Sequence, residues 1–511
     1  MKIQFPPLSS WLRQSPGRLL FAALLALSAT LLQTTIADAQ TASVPAPQAR
    51  IQTQISNASR TRLKGTLHPL AQTRYDSGRV QSSMLLHGIS MVFSRSQAQE
   101  ADLKALIKAQ QTPSSPLYHK WLMPDEFAAR FGMAQSDLNA AEQWLKQQGF
   151  TVDRVSRSRD RIYFSGTVAQ VEAALATQMH YYTVDGKKEF APSTELSLPA
   201  VLSGVVMDIG NLSSFRPKPM MHIIPQSGAR SQSAPKADFT SGTSGSHFAA
   251  PGDLQVIYDV NAVYNAGWTG TGQSIAIAGE SFIDMNDIEH FQTASGWSTP
   301  KDPTMVLVPD TGDDGVAYQG DEAESDLDLE WSSTMAPAAT IFFVYTGGGG
   351  NANVFNSVEY AVDTRIVPII SLSYGGCEMD FQSSDIQAIE AINEQGVAQG
   401  QTILIASGDD GASRCFRDRE LSTQDRTALA VSYPASSPNV TAVGGTQFSE
   451  GSGSYWNSSS GTGRSHFRDL LYSGSGMERG HTAEWYWIVR RRCEHSFHKA
   501  GLAGGRCRYS R

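Results

Sequence analysis

Between residues 83 and 179 the apolar positions alternate between a two-residue and a three-to-four-residue period, which predicts a mixture of strands and helices. Residues 84–93 read as a strand. Ser96 and Gln99 then form a capping box ahead of Leu103, Leu106 and Ile107 on one helical face. A second helix runs through Leu138, Ala141 and Leu145 and is stopped by Gly149. Strand patterns follow at residues 150–155 and 161–164, and Thr167 and Gln170 box a further helix through Val171 and Leu175. Strand-helix-helix-strand-strand-helix predicts a small α+β, ferredoxin-like domain of the split βαβ type. Residues 216–250 are rich in Pro, Ser, Gly and Ala with no apolar period, and read as an exposed linker open to proteolytic nicking.

A larger domain begins near Pro251. Buried-type strands are predicted at residues 274–278, 340–345, 367–373 and 402–406, with helices at 322–335 and 384–399. Strands alternating with helices imply an α/β domain, a mostly parallel sheet with helices on both faces. Such sheets bind ligands beyond the carboxyl ends of their strands. Residues 374–378 and 407–411 lie at two of those ends.

The chain opens with Lys2, Arg13 and Arg18, an apolar run at residues 19–32, and Ala37-Asp38-Ala39. That order reads as a cleaved secretory signal peptide, residues 1–39, and predicts a secreted protein, extracellular or periplasmic. The run is shorter than the roughly 20 apolar residues that a bilayer span requires, and no membrane partner is expected. The net charge of -8 over 511 residues argues against nucleic acid as a partner. The charge is uneven, however. Residues 461–511 hold nine Arg and one Lys against four acids, including Arg490-Arg491-Arg492. The four Cys residues include no Cys-x-x-Cys pair, so no thiolate metal site is expected.

Three segments could carry chemistry. Glu324 and Asp328 are spaced i,i+4 on a predicted helix, so their carboxyls share a face and can hydrogen-bond to one another. Two carboxyls in contact separate their pKa values, leaving one as a base while the other holds a proton. Glu322 and Asp326 have the same spacing, and an acidic pair of this kind is also the ordinary pattern of a solvated helix face. Ala406-Ser407-Gly408-Asp409-Asp410-Gly411 places an Asp after a buried strand, either as a turn former or as an active-site acid. Ser371-Leu372-Ser373-Tyr374-Gly375-Gly376-Cys377-Glu378 ends another strand, as a turn or as the wall of a substrate cleft.

In series these segments resemble the sedolisins, secreted serine-carboxyl peptidases with a subtilisin-like catalytic domain. The first domain resembles the kumamolisin-type activation domain through Pro116-Leu117-Tyr118-His119-Lys120-Trp121-Leu122, Trp144-Leu145, Gly149-Phe150 and Phe164-Ser165-Gly166-Thr167. The second resembles the family through Pro251-Gly252-Asp253-Leu254, residues 324–331 and Met335-Ala336-Pro337-Ala338-Ala339. The Ser371 and Asp409 segments, Val443-Gly444-Gly445-Thr446 and Tyr455-Trp456-Asn457 continue the likeness. The resemblance implies an activation prodomain over residues 40–215, a processing linker over 216–250 and a catalytic domain over 251–460.

It also implies roles. Glu324 is expected to be the general base for a serine nucleophile, and Asp328 to orient it, a register favoured by Leu327-Asp328. Asp409 is expected in the oxyanion hole as a protonated acid whose pKa burial raises. Cys377 and Cys415 are expected to form a disulfide. A carboxylate with a pKa near 4 still accepts a proton in acid, where a histidine is already charged, so the resemblance implies an acid endopeptidase acting on proteins or peptides. Its prodomain is expected to block the cleft as an intramolecular inhibitor and to be released at low pH.

The family also requires a Gly-Thr-Ser nucleophile segment and acidic calcium ligands downstream of Asn457, and neither is present there. Gly242-Thr243-Ser244 lies in the linker, on the wrong side of the acid pair. Residues 461–511 accordingly read as a basic, out-of-frame tail, so the domain is expected to be C-terminally incomplete and the chain inactive, with the nucleophile serine absent. Two alternatives differ in class. One is a secreted, non-catalytic peptide-binding descendant; the other is a basic-tailed nucleic-acid binder, which predicts a steep salt dependence of binding.

Overall fold

Alternate side chains of the strand Ser274–Gly279 serve two different cores. Ala276 and Ala278 pack with Val354, Val358, Ala361, Ile370 and Ile405 on one side of the sheet. Ile277 packs with Ile283, Ile288, Leu329 and Phe343 on the other. A strand that is apolar at every position must be covered on both faces. The helices Val354–Thr364 and Ser383–Ala398 cover one face; Met285–Ala294 and Asp321–Met335 cover the other. The computed structural model describes residues 46–221, 249–315, 321–348, 351–411, 415 and 423–446. The signal peptide, most of the linker, Tyr455-Trp456-Asn457 and the basic tail lie outside the described residues.

Among the described residues six strands make the sheet, in the order Thr304–Leu307, Thr340–Tyr345, Ser274–Gly279, Ile369–Leu372, Thr402–Ala406, Thr441–Val443, and every pairing between them is parallel. The strands predicted near 274, 340, 367 and 402 are all in it. The strands at 304 and 441 and the helix Val354–Thr364 were not predicted. Among the described residues no helix is long and apolar enough to cross a membrane.

The preceding domain is a four-stranded antiparallel sheet in the order Thr151–Val155, Arg161–Thr167, Leu85–Phe93, Val206–Gly210. Its helices Gln97–Gln110, Gln135–Gln147 and Val168–Leu175 include both predicted capping boxes. Gly149, with φ of 89°, ends the second of these. This is the split βαβ arrangement, completed by a fourth strand beyond the stretch whose periodicity suggested it. Trp144, Phe164, Leu86 and Ile89 fill its core.

This domain docks on the α/β body through polar as well as apolar contacts. Trp121 lies against Gly400, where an added Cβ would come within 2.4 Å of the indole, and Leu122 N donates to Ala398 O at 3.0 Å. Asp363 accepts from Arg157 N and Ser158 N at 2.7 and 2.8 Å. Arg161 is buried, 3.1 Å from Glu359, and donates to Ala388 O. Burial opposes its charge, and Glu359, Asp160, Asp363 and Asp208 together more than restore it. One guanidinium cannot keep so many buried carboxyls ionised: burial pushes Glu359 up to about 7 against the pull of Arg161. Removing the cation strands those acids in a low-dielectric interface. Arg161→Ala is therefore expected to destabilise the chain by about 3–5 kcal/mol, read from its denaturation midpoint, with Glu359→Gln in the same chain recovering part of the loss. A midpoint unchanged by Arg161→Ala would show that the ion cluster does not hold the two domains together.

Candidate active-site cleft

The helix Asp321–Met335 carries its acids on two faces, and the fold separates them. Glu324, 3% exposed, and Asp328 turn toward the strand ends. Ser373, just past the strand Ile369–Leu372, donates through Oγ to Asp328 Oδ1 at 2.9 Å. Asp326 instead belongs to a group with Asp287, Glu322 and Asp284; burial first, then those charges, raises it to about 7. The choice between the two i,i+4 pairs is thus made by packing, and only Glu324 and Asp328 meet the carboxyl ends of the sheet.

Crossing those ends is the start of the segment predicted to be an exposed linker. Lys218–Pro219 pairs antiparallel with Tyr374–Cys377, Lys218 opposite Gly375 and Pro219 opposite Tyr374. Met220 N donates to Ser373 O at 3.2 Å and Met221 N to Glu324 Oε2 at 3.0 Å. Residues 216–221 are therefore a bound strand rather than an exposed tether. Backbone pairing needs no apolar period, which is why composition did not reveal it. Met220 is 6% exposed, its Cε packed over Gly375, where a Cβ would sit 2.1 Å away and also 2.4 Å from Tyr433 O. Its sulfur lies beside Gly408.

The strand shapes the electrostatics. Burial first, then the Asp328 charge and more weakly that of Asp409, push Glu324 up to about 7, while the amides of Met221 and Met220 pull it down. Burial pushes Asp328 up to about 6, with the Ser373 hydroxyl pulling against it. The expected hydrogen bond between the two carboxyls is not formed. Glu324 is engaged by the strand's amide, and Asp328 Oδ2 is buried without a partner.

Asp409 follows the strand Thr402–Ala406 in a turn opened by Gly408, φ 90°. Its charge reaches Glu324, and among the described residues it is exposed. The turn follows directly on the strand end, where Ser407 N donates to Val443 O at 2.9 Å and the Met220 sulfur lies beside Gly408. Cys377 and Cys415 form a disulfide as the resemblance implies, and both are buried with Ala430. Among the described residues no group of three or more His, Cys, Asp or Glu is arranged to hold a metal ion.

The sequence reading overlooked Glu280 and Asp321. Glu280 follows the strand Ser274–Gly279 directly, so the strand-end rule that flagged Ser373 and Asp409 applied to it equally. It is 1% exposed and accepts from Val354 N at 2.9 Å. With Asp321, Met221 and Gly375 it lines a cavity of about 950 Å³ between the two domains.

Comparison with known proteins agrees with this architecture. Residues 75–215 match the pro-kumamolisin activation domain, and residues 315–497 match the subtilase family, a match that runs past residue 460 into the basic segment. The chain is 30% identical to sedolisin of Pseudomonas sp. (strain 101) over 70% of its own length and 60% of that protein's. It is 27% identical to xanthomonalisin of Xanthomonas sp. (strain T-22), over 81% of its length and 52% of that protein's. It thus spans less than two thirds of either relative. A solved structure of Pseudomonas sedolisin matches with 28% identity and a TM-score of 0.32, covering 40% of this chain and 55% of that one. With its subtilisin-like parallel sheet and pro-kumamolisin activation domain, the chain belongs to the sedolisin family of serine-type peptidases.

Proposed function

We propose that the chain is, by descent, the zymogen of a secreted, acid-acting serine-carboxyl endopeptidase, and that in this form it holds a peptide in its cleft without cleaving it. The observation that carries this reading is the amide of Met221 donated to Glu324 by a strand paired along Tyr374–Cys377. A peptide substrate presents the same backbone groups, so the linker occupies the substrate's path. In the full reaction Glu324 would take the proton of a serine hydroxyl as it attacks the scissile carbonyl, with Asp328 orienting Glu324. A protonated Asp409, covered by substrate, would donate to the oxyanion. After the strand leaves, Glu324 is free to turn to the unpartnered oxygen of Asp328. Residues 458–511 contain no Gly-Thr-Ser segment, so this scheme lacks its serine hydroxyl, and without that hydroxyl its acyl ester does not form. The same observation favours the non-catalytic peptide binder as the runner-up, because strand pairing and the Met220 pocket need no serine.

Purified full-length protein is expected to release no peptides from an acid-denatured protein at pH 4 within hours. Turnover that disappears in Glu324→Ala would overturn this and require a nucleophile elsewhere in the chain.

The carboxyl shifts also determine how the fold responds to pH. Glu324 rises from 4.5 to about 7 and Asp328 from 3.8 to about 6 in the folded chain, each chiefly through burial. A raised carboxyl favours the protonated form, so the contribution of these two groups to the folded state is fully present below about pH 4 and is lost as pH climbs toward 7. Resistance to denaturant is therefore expected to rise between pH 7 and pH 5, and Glu324→Gln to flatten part of that rise. Resistance that falls over that range would contradict the assignment.

A further inference from the structure

Four residues before Met220, the same bound strand places Arg216 at the other end of the cleft. Its Nη1 lies 3.9 Å from Glu280 Oε2, and its side chain is 19% exposed against 1% for Glu280. Asp321, at the start of the helix that carries Glu324, is the second acid of this pocket. Burial holds both carboxyls back from ionisation; Arg216 draws each toward it, and at Glu280 the charge of Asp321 opposes that pull. Lys187, on the hairpin strand Lys187–Pro192 of the activation domain, adds to the pull on Asp321.

Both cations belong to the activation side of the chain, and both acids belong to the body. When the activation domain and its linker leave, Glu280 and Asp321 remain on the body with those counter-charges gone. Glu280 keeps the Val354 amide, which satisfies one oxygen but supplies no cation. A pair of acids in the cleft discriminates among the peptides that cover it: a basic side chain is favoured, a neutral one leaves the charge uncompensated, and an acidic one is rejected.

We propose that Glu280 and Asp321 form a cation-selecting subsite of the peptide cleft, which takes an arginine or lysine four residues N-terminal to the side chain seated over Gly375. This rests on the reading of residues 216–221 as a peptide in the substrate's path and adds to it a preference for basic peptides. Arg216 occupies that subsite in the latent form, so the linker's own sequence, Arg216-Pro217-Lys218-Pro219-Met220-Met221, is the ligand the cleft is built around.

The full-length chain tests this through its own tethered strand. Hydrogen exchange of the Met221 amide is expected to speed about tenfold in Arg216→Ala and less than about threefold in Arg216→Lys. In a Glu280→Gln or Asp321→Asn background, Arg216→Ala is expected to have little further effect; two backgrounds guard against one failing to fold. In the second arm, a labelled acetyl-Arg-Pro-Lys-Pro-Met-Met-amide is expected to bind the Arg216→Ala chain about tenfold more tightly than its acetyl-Ala counterpart. That preference is expected to vanish when Glu280→Gln is added. Equal binding of the two peptides, or a protected Met221 amide indifferent to Arg216→Ala, overturns the subsite alone. A Met221 amide that is unprotected in the unmodified chain overturns the occupied cleft itself, and the two failures are thereby told apart.

Discussion

A single backbone amide donated to a buried carboxyl, Met221 N to Glu324 Oε2, organises this molecule. Glu324 is nearly without solvent and faces another carboxyl, a position in which an ionised acid is stable only if something donates to it. The chain supplies that donor from its own linker. To bring the amide there, residues 216–221 must run antiparallel to Tyr374–Cys377, and the activation domain must sit where Phe215 hands the chain into the cleft. The result is strand addition: the edge of Tyr374–Cys377 is already paired by the chain's own segment.

The remaining interface serves that placement. The Trp121 and Leu122 motif packs at the end of the helix Ser383–Ala398, and Arg157, Ser158 and Arg161 meet the helix Val354–Thr364 through Asp363 and Glu359. Further along, Asp208 of the activation domain and Asp385 of the body meet as two buried carboxyls. Burial raises both, and each needs a proton between them to be accommodated. Acids whose pKa is raised by contact bind protons as the contact forms, so they favour association in acid. Through this pair, acid tightens the interface rather than loosening it.

What could be read from the sequence divides along a physical line. The strands Thr340–Tyr345 and Thr402–Ala406 and both capping boxes are written in local periodicity and local hydrogen bonding, and they stood where the pattern put them. Glu324 and Asp328 were legible as a spaced pair, but the pattern gave Glu322 and Asp326 equal standing; only the resemblance, and then the packing of the helix against Ser373, separated them. The strand at residues 218–219 was invisible because its stability comes from a partner more than 150 residues away and from backbone groups common to any sequence. The exposure of Asp409 was likewise invisible, since it depends on what covers a turn rather than on what composes it.

That division bears on how the linker's composition is to be understood. Pro217 and Pro219 were read as marks of an exposed tether, yet a proline supplies no amide and so cannot compete for the carboxylate. Only residues 216, 218, 220 and 221 have amides to donate, and the last two reach Ser373 and Glu324. Proline also stiffens an extended strand, reducing the entropy lost when it enters the cleft. The features that suggested disorder, few apolar residues and two prolines, are those that let a short peptide bind by its backbone while two side chains, Arg216 and Met220, are left to engage the pockets at either end.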